Sequence, residues 1–175
     1  MQRSLVMTVL AKDRPGLVES VSAAVAEHGG NWLESRMSRL GGQFAGIVRV
    51  QVPADKESAL SRALQNLDVQ GLKIVVYSDS AAAPARKSLC RLEIVGQDRP
   101  GIVRQITHAL AEARVNVEEF SSECSSAAMS GETLFKATAR LDIPAGCNQS
   151  ELRRTLERIA ADLIVEINLE PEQAP

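Results

Sequence analysis

The chain has 175 residues, of which 45% are hydrophobic and 24% are charged, and its formal net charge is −2. This composition is typical of a globular protein and excludes a disordered or fibrous chain, and the near balance of charge argues against a protein that grips nucleic-acid phosphates. No apolar run reaches the length of about 18 residues that a membrane span needs, and the amino terminus does not match a secretory signal, so we expect a cytoplasmic protein.

Two hydrophobic periods alternate along the first 79 residues. Apolar residues at every second position predict strands, and apolar residues three to four positions apart predict helices. In chain order, the predicted elements are a strand at 4–11, a helix with Pro15 in its first turn that stops at Gly29-Gly30, strands at 31–40 and 42–53 joined by a Gly41-Gly42 hairpin turn, a helix at 56–67 and a strand at 72–77.

The same order is predicted again from residue 88 onwards. The elements are strands at 88–96, 115–123, 134–143 and 163–169, a helix with Pro100 in its first turn, and a helix at 149–159. Strand, helix, strand, strand, helix, strand is the ferredoxin-like βαββαβ order. We therefore predict an α+β protein with two tandem ferredoxin-like units, each an antiparallel sheet with helices on one face.

A direct internal repeat supports the two-unit reading. Residues 12–18 read KDRPGLV and residues 97–103 read QDRPGIV, an offset of 85 that also superimposes Asn31 on Asn116. The match therefore extends well beyond the four shared letters of the loop.

The offset between the two copies is larger in their later parts. Residues 44–53 match 135–144 at an offset of 91, so the second copy carries six extra residues, which lie in the polar, turn-rich segment 121–133. We predict that the six-residue insertion, with Cys124 and Met129, is a loop and a candidate partner surface, with a surface loop without function as the alternative.

The domain boundaries follow from the repeat and from composition. We predict a first domain at 1–79 and a second domain at 88–172. Between them, residues 80–87 are rich in Ala and Pro and are expected to form a linker.

The repeated loop joins the first strand of each copy to its first helix. The N–H groups that begin a helix have no partner within the helix, and together with the helix dipole they favour a negative group such as a carboxylate. Glycine at positions 16 and 101 leaves a ligand free access to the backbone. Asn31 and Asn116 could add a carboxamide near the same loop. An α-amino acid needs donors for its carboxylate, which the N–H groups provide, and an acceptor for its ammonium group, which the carboxamide oxygen provides.

A structural explanation of the same residues stays open. Asp13 and Asp98 could simply cap the helices with their side chains, with the following proline setting the first turn. Asn31 and Asn116 could be turn residues in the left-handed conformation.

These loops, each between a short strand and an amphipathic helix with an asparagine fifteen residues past the glycine, resemble those of ACT domains, which are small-molecule-sensing modules. Two such units, matched from about Leu5 to Leu169, resemble the glycine cleavage system transcriptional repressor family. The resemblance implies ligand-binding positions at Asp13, Arg14, Gly16, Leu17, Asn31, Asp98, Arg99, Gly101, Ile102 and Asn116.

The resemblance also implies a mode of action. It implies a non-catalytic regulator that binds an amino acid, with glycine suspected, at ACT interfaces and controls a LysR-type transcriptional activator without binding nucleic acid or a membrane itself. A homodimer is compatible with it. In the second copy Arg114-Val115 replaces Gly29-Gly30, so the two sites are not expected to be occupied equally.

Other classes of protein share this fold. An acylphosphatase-like anion loop needs consecutive backbone donors, and Pro15 and Pro100 each remove one. His28 and His108 do not correspond in the repeat and lie in no nucleophile or metal motif, so we expect no enzyme, no metal and no cofactor.

Binding of RNA or copper is equally poorly supported. The chain has only five aromatic residues, too few for base-stacking sheets, and its three cysteines form no C-x-x-C pair and are expected to be reduced thiols. The alternative that stays open is an amino-acid-responsive regulatory subunit of a metabolic enzyme, because it needs the same sensor.

Overall fold

The computed structural model describes residues 1–79, 88–126 and 133–172. The chain divides into two compact units, residues 1–82 and 83–175, and each unit has its own cluster of buried apolar side chains. The predicted linker at 80–87 lies outside the described residues. Within the described ranges, no helix combines the length and the apolar character needed to cross a bilayer.

The first unit has the predicted order of elements. They are β1 (Gln2–Lys12), α1 (Leu17–Glu27), β2 (Asn31–Leu40), β3 (Gln43–Pro53), α2 (Glu57–Asn66), a short 3-10 helix (Leu67–Gln70) and β4 (Leu72–Ser78). The strands form one antiparallel sheet in the order β2-β3-β1-β4.

The second unit repeats this architecture. Its elements are β5 (Leu89–Gln97), α3 (Ile102–Glu112), β6 (Asn116–Ser126), β7 (Thr133–Asp142), α4 (Gln149–Leu163) and β8 (Val165–Pro171). The sheet order is β6-β7-β5-β8, again antiparallel. The prediction of an α+β protein with two tandem ferredoxin-like units is confirmed.

Strand alternation and helix periodicity build each core together. In β1 every second residue from Leu5 to Ala11 is buried, and these side chains cluster with Leu17, Val21 and Val25 of α1. Fully burying one such side chain contributes about 1.5 to 3 kcal/mol. Because only one face of each sheet is covered by helices, the residues in between point to the other face.

The insertion is visible in the register of the two hairpins. Leu40 pairs with Gln43 across the Gly41-Gly42 turn, and the equivalent pair in the second unit is Ser125 with Leu134. Both turn glycines have positive φ, 57° and 76°, as a type I′ turn requires, so this predicted hairpin is confirmed.

Strand β6 extends three residues beyond its predicted end at residue 123. β6 continues through Ser126, and Ser126 still pairs with Thr133, because the edge of β7 offers backbone partners to this point. The rest of the segment 121–133, namely residues 127–132, lies outside the described residues.

Three helix ends differ clearly from the prediction. Helices α1 and α3 begin at Leu17 and Ile102, so Pro15 and Pro100 precede the helix and do not lie in its first turn. Helix α4 runs on to Leu163, beyond the predicted end at 159, because Leu163 is still part of the buried core. It ends where Ile164 takes a left-handed conformation with φ 56°.

Candidate ligand-binding site

The two repeated loops are anchored in the same way. The backbone N–H of Asp13 donates to the carbonyl oxygen of Gly42 at 2.9 Å, and that of Asp98 donates to the carbonyl oxygen of Thr133 at 2.8 Å. Each loop is therefore held beside the hairpin that joins the second and third strands of its unit.

Each loop then turns sharply into its helix at the glycine. Gly16 has φ 88° and ψ 0°, and Gly101 has φ 98° and ψ −4°. A proline followed by a residue in this left-handed region is the pattern of a type II turn, which only glycine adopts without strain. This turn is why the prolines lie outside the helices.

The helix starts carry no side-chain cap. The N-cap residue is the glycine in both units, and no side chain accepts a hydrogen bond from the first turn of α1 or α3. The alternative in which Asp13 and Asp98 act as caps is therefore wrong. A Cβ atom built on either glycine would meet no atom within 4 Å, so the space in front of the turn is open.

The side chains of Leu17 and Ile102 do not face this space. They are 3% and 2% exposed and belong to the two cores. Of these two predicted site residues, only the backbone N–H groups are available to a ligand. The buried side chains fix the position of the helix start.

In the second unit, four predicted residues line one shallow cleft. The cleft encloses about 560 Å³ and is lined by Asp98, Arg99, Gly101, Ile102, Val103, Arg104, Thr107 and Phe135. The predicted ligand-binding positions did not include Val103, Arg104, Thr107 or Phe135. The signal for Arg104 and Thr107 was their spacing, since residues three positions apart lie on the same side of a helix.

The charges around the two loops differ. Around the first loop, the Asp13 carboxylate pairs with Arg39, Arg14 donates to the carbonyl oxygen of Gln70 at 3.2 Å, and Glu19 lies in the first helical turn. With Lys12, which directly precedes the loop, these are three basic and two acidic side chains.

Around the second loop, the balance of charge is the same, but the first turn of the helix carries a basic residue. The position of Glu19 is taken by Arg104, that of Arg39 by Cys124 and that of Lys12 by Gln97. Asp98 forms no ion pair within the described residues, while Arg99 donates to the side chain of Gln97 at 3.2 Å. One carboxylate and two guanidinium groups therefore line the second loop.

The asparagines lie elsewhere. Asn31 pairs with Gln51 at one end of the first sheet, whereas the loop follows Lys12, which pairs with Gln43 at the other end. The eleven-residue helix α1 separates them, about 16 Å at 1.5 Å per residue. Contrary to expectation, the structure does not bring Asn31 to the loop of its own unit.

Asn116 occupies the equivalent place in the second unit. It pairs with Asp142 at the far end of the sheet, and its Nδ2 donates to Glu118 at 2.7 Å. Neither asparagine has positive φ, so the alternative of left-handed turn residues is wrong. Arg114 takes the left-handed position that Gly29 holds in the first unit, with φ 57° against 67°.

A β-bulge follows each asparagine. The register shifts between Trp32 and Glu34 and, at the equivalent place, between Val117 and Glu119. Bulges re-aim side chains and often lie next to functional sites. The sequence signal was the break in alternation at Trp32-Leu33, which the analysis of the sequence did not use.

The remaining reactive side chains have structural surroundings. His28 ends α1, and its Nδ1 lies 2.8 Å from the carbonyl oxygen of Ala24. Burial raises the pKa of the Cys90 thiol above its ordinary value. Within the described parts of the chain, no group of three or more His, Cys, Asp or Glu could hold a metal ion.

Comparison with known proteins places this chain in a family. Models of the ACT domain match residues 3–77 and residues 91–144. The chain therefore belongs to the ACT-domain family, with two tandem ACT domains.

Solved structures agree with this assignment. A crystal structure of an unknown protein from Galdieria sulphuraria is 32% identical, covers 99% of this chain and 100% of its own, and has a TM-score of 0.85. A candidate glycine cleavage system transcriptional repressor is 19% identical, covers 99% of both chains and has a TM-score of 0.72, which shows the shared fold. Among curated proteins, none matches the chain significantly.

Proposed function

We propose that this protein is a non-catalytic regulator that senses an amino acid, with the second loop as its principal site. The observation that carries the proposal is the cleft at Gly101, where an open left-handed turn and an uncapped helix start lie together with Asp98, Arg99 and Arg104. These groups match both ends of an α-amino acid.

The chemistry divides between backbone and side chains. The ligand carboxylate would accept hydrogen bonds from the N–H groups at the start of α3 and would be attracted by Arg104, while the Asp98 carboxylate would accept the ammonium group. The dipole alone contributes about 0.3 to 1 kcal/mol at an exposed site, so the charged side chains are needed for useful affinity. At the first loop Glu19 opposes a carboxylate, which makes it the weaker site.

The asparagines have a conditional role in this proposal. Because Asn116 lies a helix length from its own loop, it would contact a ligand only where another ACT unit presents it. A ligand held in that way would stabilise one arrangement of units over another. Coupling of this kind typically amounts to about 1 to 3 kcal/mol.

The particular role we propose is repression of the glycine cleavage system through a LysR-type activator, with glycine as the ligand. The DRPG loops in both units and the full-length likeness to the candidate repressor support it. Affinity purification from cell extract distinguishes this role from the alternative. Recovery of a helix-turn-helix activator supports it, and recovery of a biosynthetic enzyme supports a regulatory subunit instead.

Thermal melting of the full chain with each of the twenty amino acids tests the sensor. A ligand at a hundred times its Kd stabilises the folded state by about 2.7 kcal/mol, which raises Tm measurably. We expect a shift with glycine or a related small amino acid. No shift with any amino acid at millimolar concentration contradicts the proposal.

Variants then locate the site. In Gly101→Asn, the asparagine tolerates the left-handed turn but fills the space in front of it. Arg104→Glu introduces the residue that the first unit carries at position 19, and both variants should abolish the ligand-induced rise in Tm. The matched control, Gly16→Asn, should keep most of this rise. The opposite result would assign the ligand to the first loop.

A further inference from the structure

One position on the second strand of each unit lies beside the repeated loop and differs between the units. Arg39 pairs with Phe44 in the first unit, and Cys124 pairs with Phe135 in the second. Directly opposite residues of antiparallel strands project from the same face of the sheet. Phe44 packs against the first core, and Phe135 belongs to the second core and lines the cleft at Gly101. Both positions therefore lie on the helix side of their sheet.

In the first unit, the residue at this position binds the loop aspartate. The Nε of Arg39 lies 2.5 Å from Oδ2 of Asp13, so the two side chains form an ion pair. A carboxylate that already accepts from a guanidinium group has fewer lone pairs and less net charge left for a second cation. Asp13 is therefore a poor acceptor for the ammonium group of a ligand.

In the second unit, the equivalent carboxylate has no such partner. Cys124 carries no positive charge, and within the described residues the side chain of Asp98 forms neither a hydrogen bond nor an ion pair. Asp98 also lines the cleft that contains Arg104 and the start of α3. An ammonium group in this cleft would therefore find an acceptor that no cation of the described chain occupies.

The two exchanges around the loops affect opposite ends of an α-amino acid. The loop itself is the same in both units, with the sequence Asp-Arg-Pro-Gly and a left-handed glycine. The exchange of Glu19 for Arg104 replaces repulsion of a carboxylate by attraction. The exchange of Arg39 for Cys124 releases the acceptor for an amine. Together they turn the second loop into a site for a zwitterion.

We propose that the residue at position 124, like Arg39 in the first unit, determines whether its loop discriminates for an amino group. An uncharged side chain leaves the loop aspartate to the ligand, and an arginine withdraws it. The residue acts through Asp98 and is a positioning residue. This inference rests on the proposed amino-acid site, and it adds the chemical class of the ligand: an amino carboxylate in the second unit, and a carboxylate without selection for an amine in the first.

Titration of the full chain with glycine and with acetate tests the inference, because acetate lacks the ammonium group. The backbone amide signals of Gly101, Ile102 and Val103 in NMR spectra report binding at this loop. The variant Cys124→Arg introduces the arginine of the first unit. We expect it to weaken glycine binding by about tenfold or more, and to leave acetate binding equal or tighter, because a further guanidinium group attracts a carboxylate.

Three matched variants separate this effect from charge and from damage to the fold. Cys124→Ser keeps a small neutral side chain and should leave glycine binding unchanged. Ser121→Arg adds the same charge on the opposite face of β6, where Ser121 pairs with Thr138, and should not change the preference for glycine over acetate. Asp98→Asn should remove that preference, and adding Cys124→Arg to it should cause no further loss.

The first unit allows the reverse experiment, which does not depend on the folding of Cys124→Arg. Glu19→Arg with Arg39→Ser gives the first loop a basic helix start and a free aspartate. We expect calorimetry to show two glycine molecules per chain in place of one. Glu19→Arg alone should leave the stoichiometry at one, because Arg39 still pairs with Asp13.

The outcomes distinguish this inference from the proposed function. If Cys124→Arg binds glycine as tightly as the wild type, or loses glycine and acetate equally, the inference is wrong and the proposed sensor stands. A second site gained with Glu19→Arg alone is equally incompatible with it. A wild type that binds no glycine at this loop also overturns the inference, and thermal melting with the twenty amino acids then shows whether the proposed function fails with it.

Discussion

Single glycines decide the geometry of both loops. At Gly101 the backbone has φ 98°, and a Cβ atom there would have no neighbouring atom within 4 Å. An alanine at this position is therefore destabilising only through its left-handed backbone conformation. We expect Gly101→Ala to lower the free energy of unfolding by about 1 to 2 kcal/mol and Gly101→Asn by less, because asparagine tolerates this region. Urea denaturation followed by circular dichroism measures both. Equal costs for the two variants would show that space, and not backbone conformation, is limiting.

The cysteines provide a second test at the residue scale. Cys90 is buried in the second core and its thiol pKa is raised by that burial, whereas Cys124 is exposed on β6. Because the thiolate is the reactive form, we expect a thiol reagent at pH 8 to label Cys124 rapidly and Cys90 only after unfolding. Mass spectrometry of tryptic peptides distinguishes the two. Rapid labelling of Cys90 in the folded protein would contradict its place in the core.

At the scale of elements, the sequence predicted what repeats locally. Alternation in β1 and the helical spacing of Leu17, Val21 and Val25 predicted the order of elements. An alternating pattern puts its apolar side chains on one face only in a strand, and a spacing of three to four residues does so only in a helix. The ends of the helices were harder to predict. Pro15 is acceptable both in a first helical turn and before it, and only the type II turn with Gly16 decides between them.

The candidate site was predicted less completely for a similar reason. The spacing of fifteen residues between Gly16 and Asn31 does not reveal which end of the sheet Asn31 occupies. The intervening helix α1 leads the chain to the opposite end of the sheet from the loop. Arg104 and Phe135 reach the cleft from a helix and a strand, so no short motif contains them.

The two hairpins yield a prediction about an element. Replacing residues 126–133 by Gly-Gly would give Ser125 and Leu134 the tight turn that joins Leu40 to Gln43. We expect the variant to fold and to be more stable by about 1 kcal/mol, because the connection between the last paired residues falls from six residues to two, which lowers the entropy cost of closing it. Equilibrium unfolding measures the change. A destabilised variant would show that the longer connection contributes contacts of its own.

At the scale of the whole molecule, the two units share a fold and differ in surface. The second unit carries Arg104 in the first turn of its first helix, where the first unit carries Glu19. Since both cores are complete by themselves, such differences cost neither unit its stability. A duplicated chain can in this way change the ligand loop of one unit without disturbing the fold of the other.

Separate expression of the two halves tests this division. Each half contains a full sheet and its own buried cluster, so we expect residues 1–79 and residues 88–172 to unfold cooperatively on their own. The second fragment should retain amino-acid binding by calorimetry, weaker where an asparagine from another unit is missing, because it carries Arg104 beside the start of α3. The first fragment should bind more weakly, because Glu19 in the first turn of α1 repels a carboxylate. Tighter binding by the first fragment would reverse the assignment, because the loop with Glu19 would then hold the carboxylate.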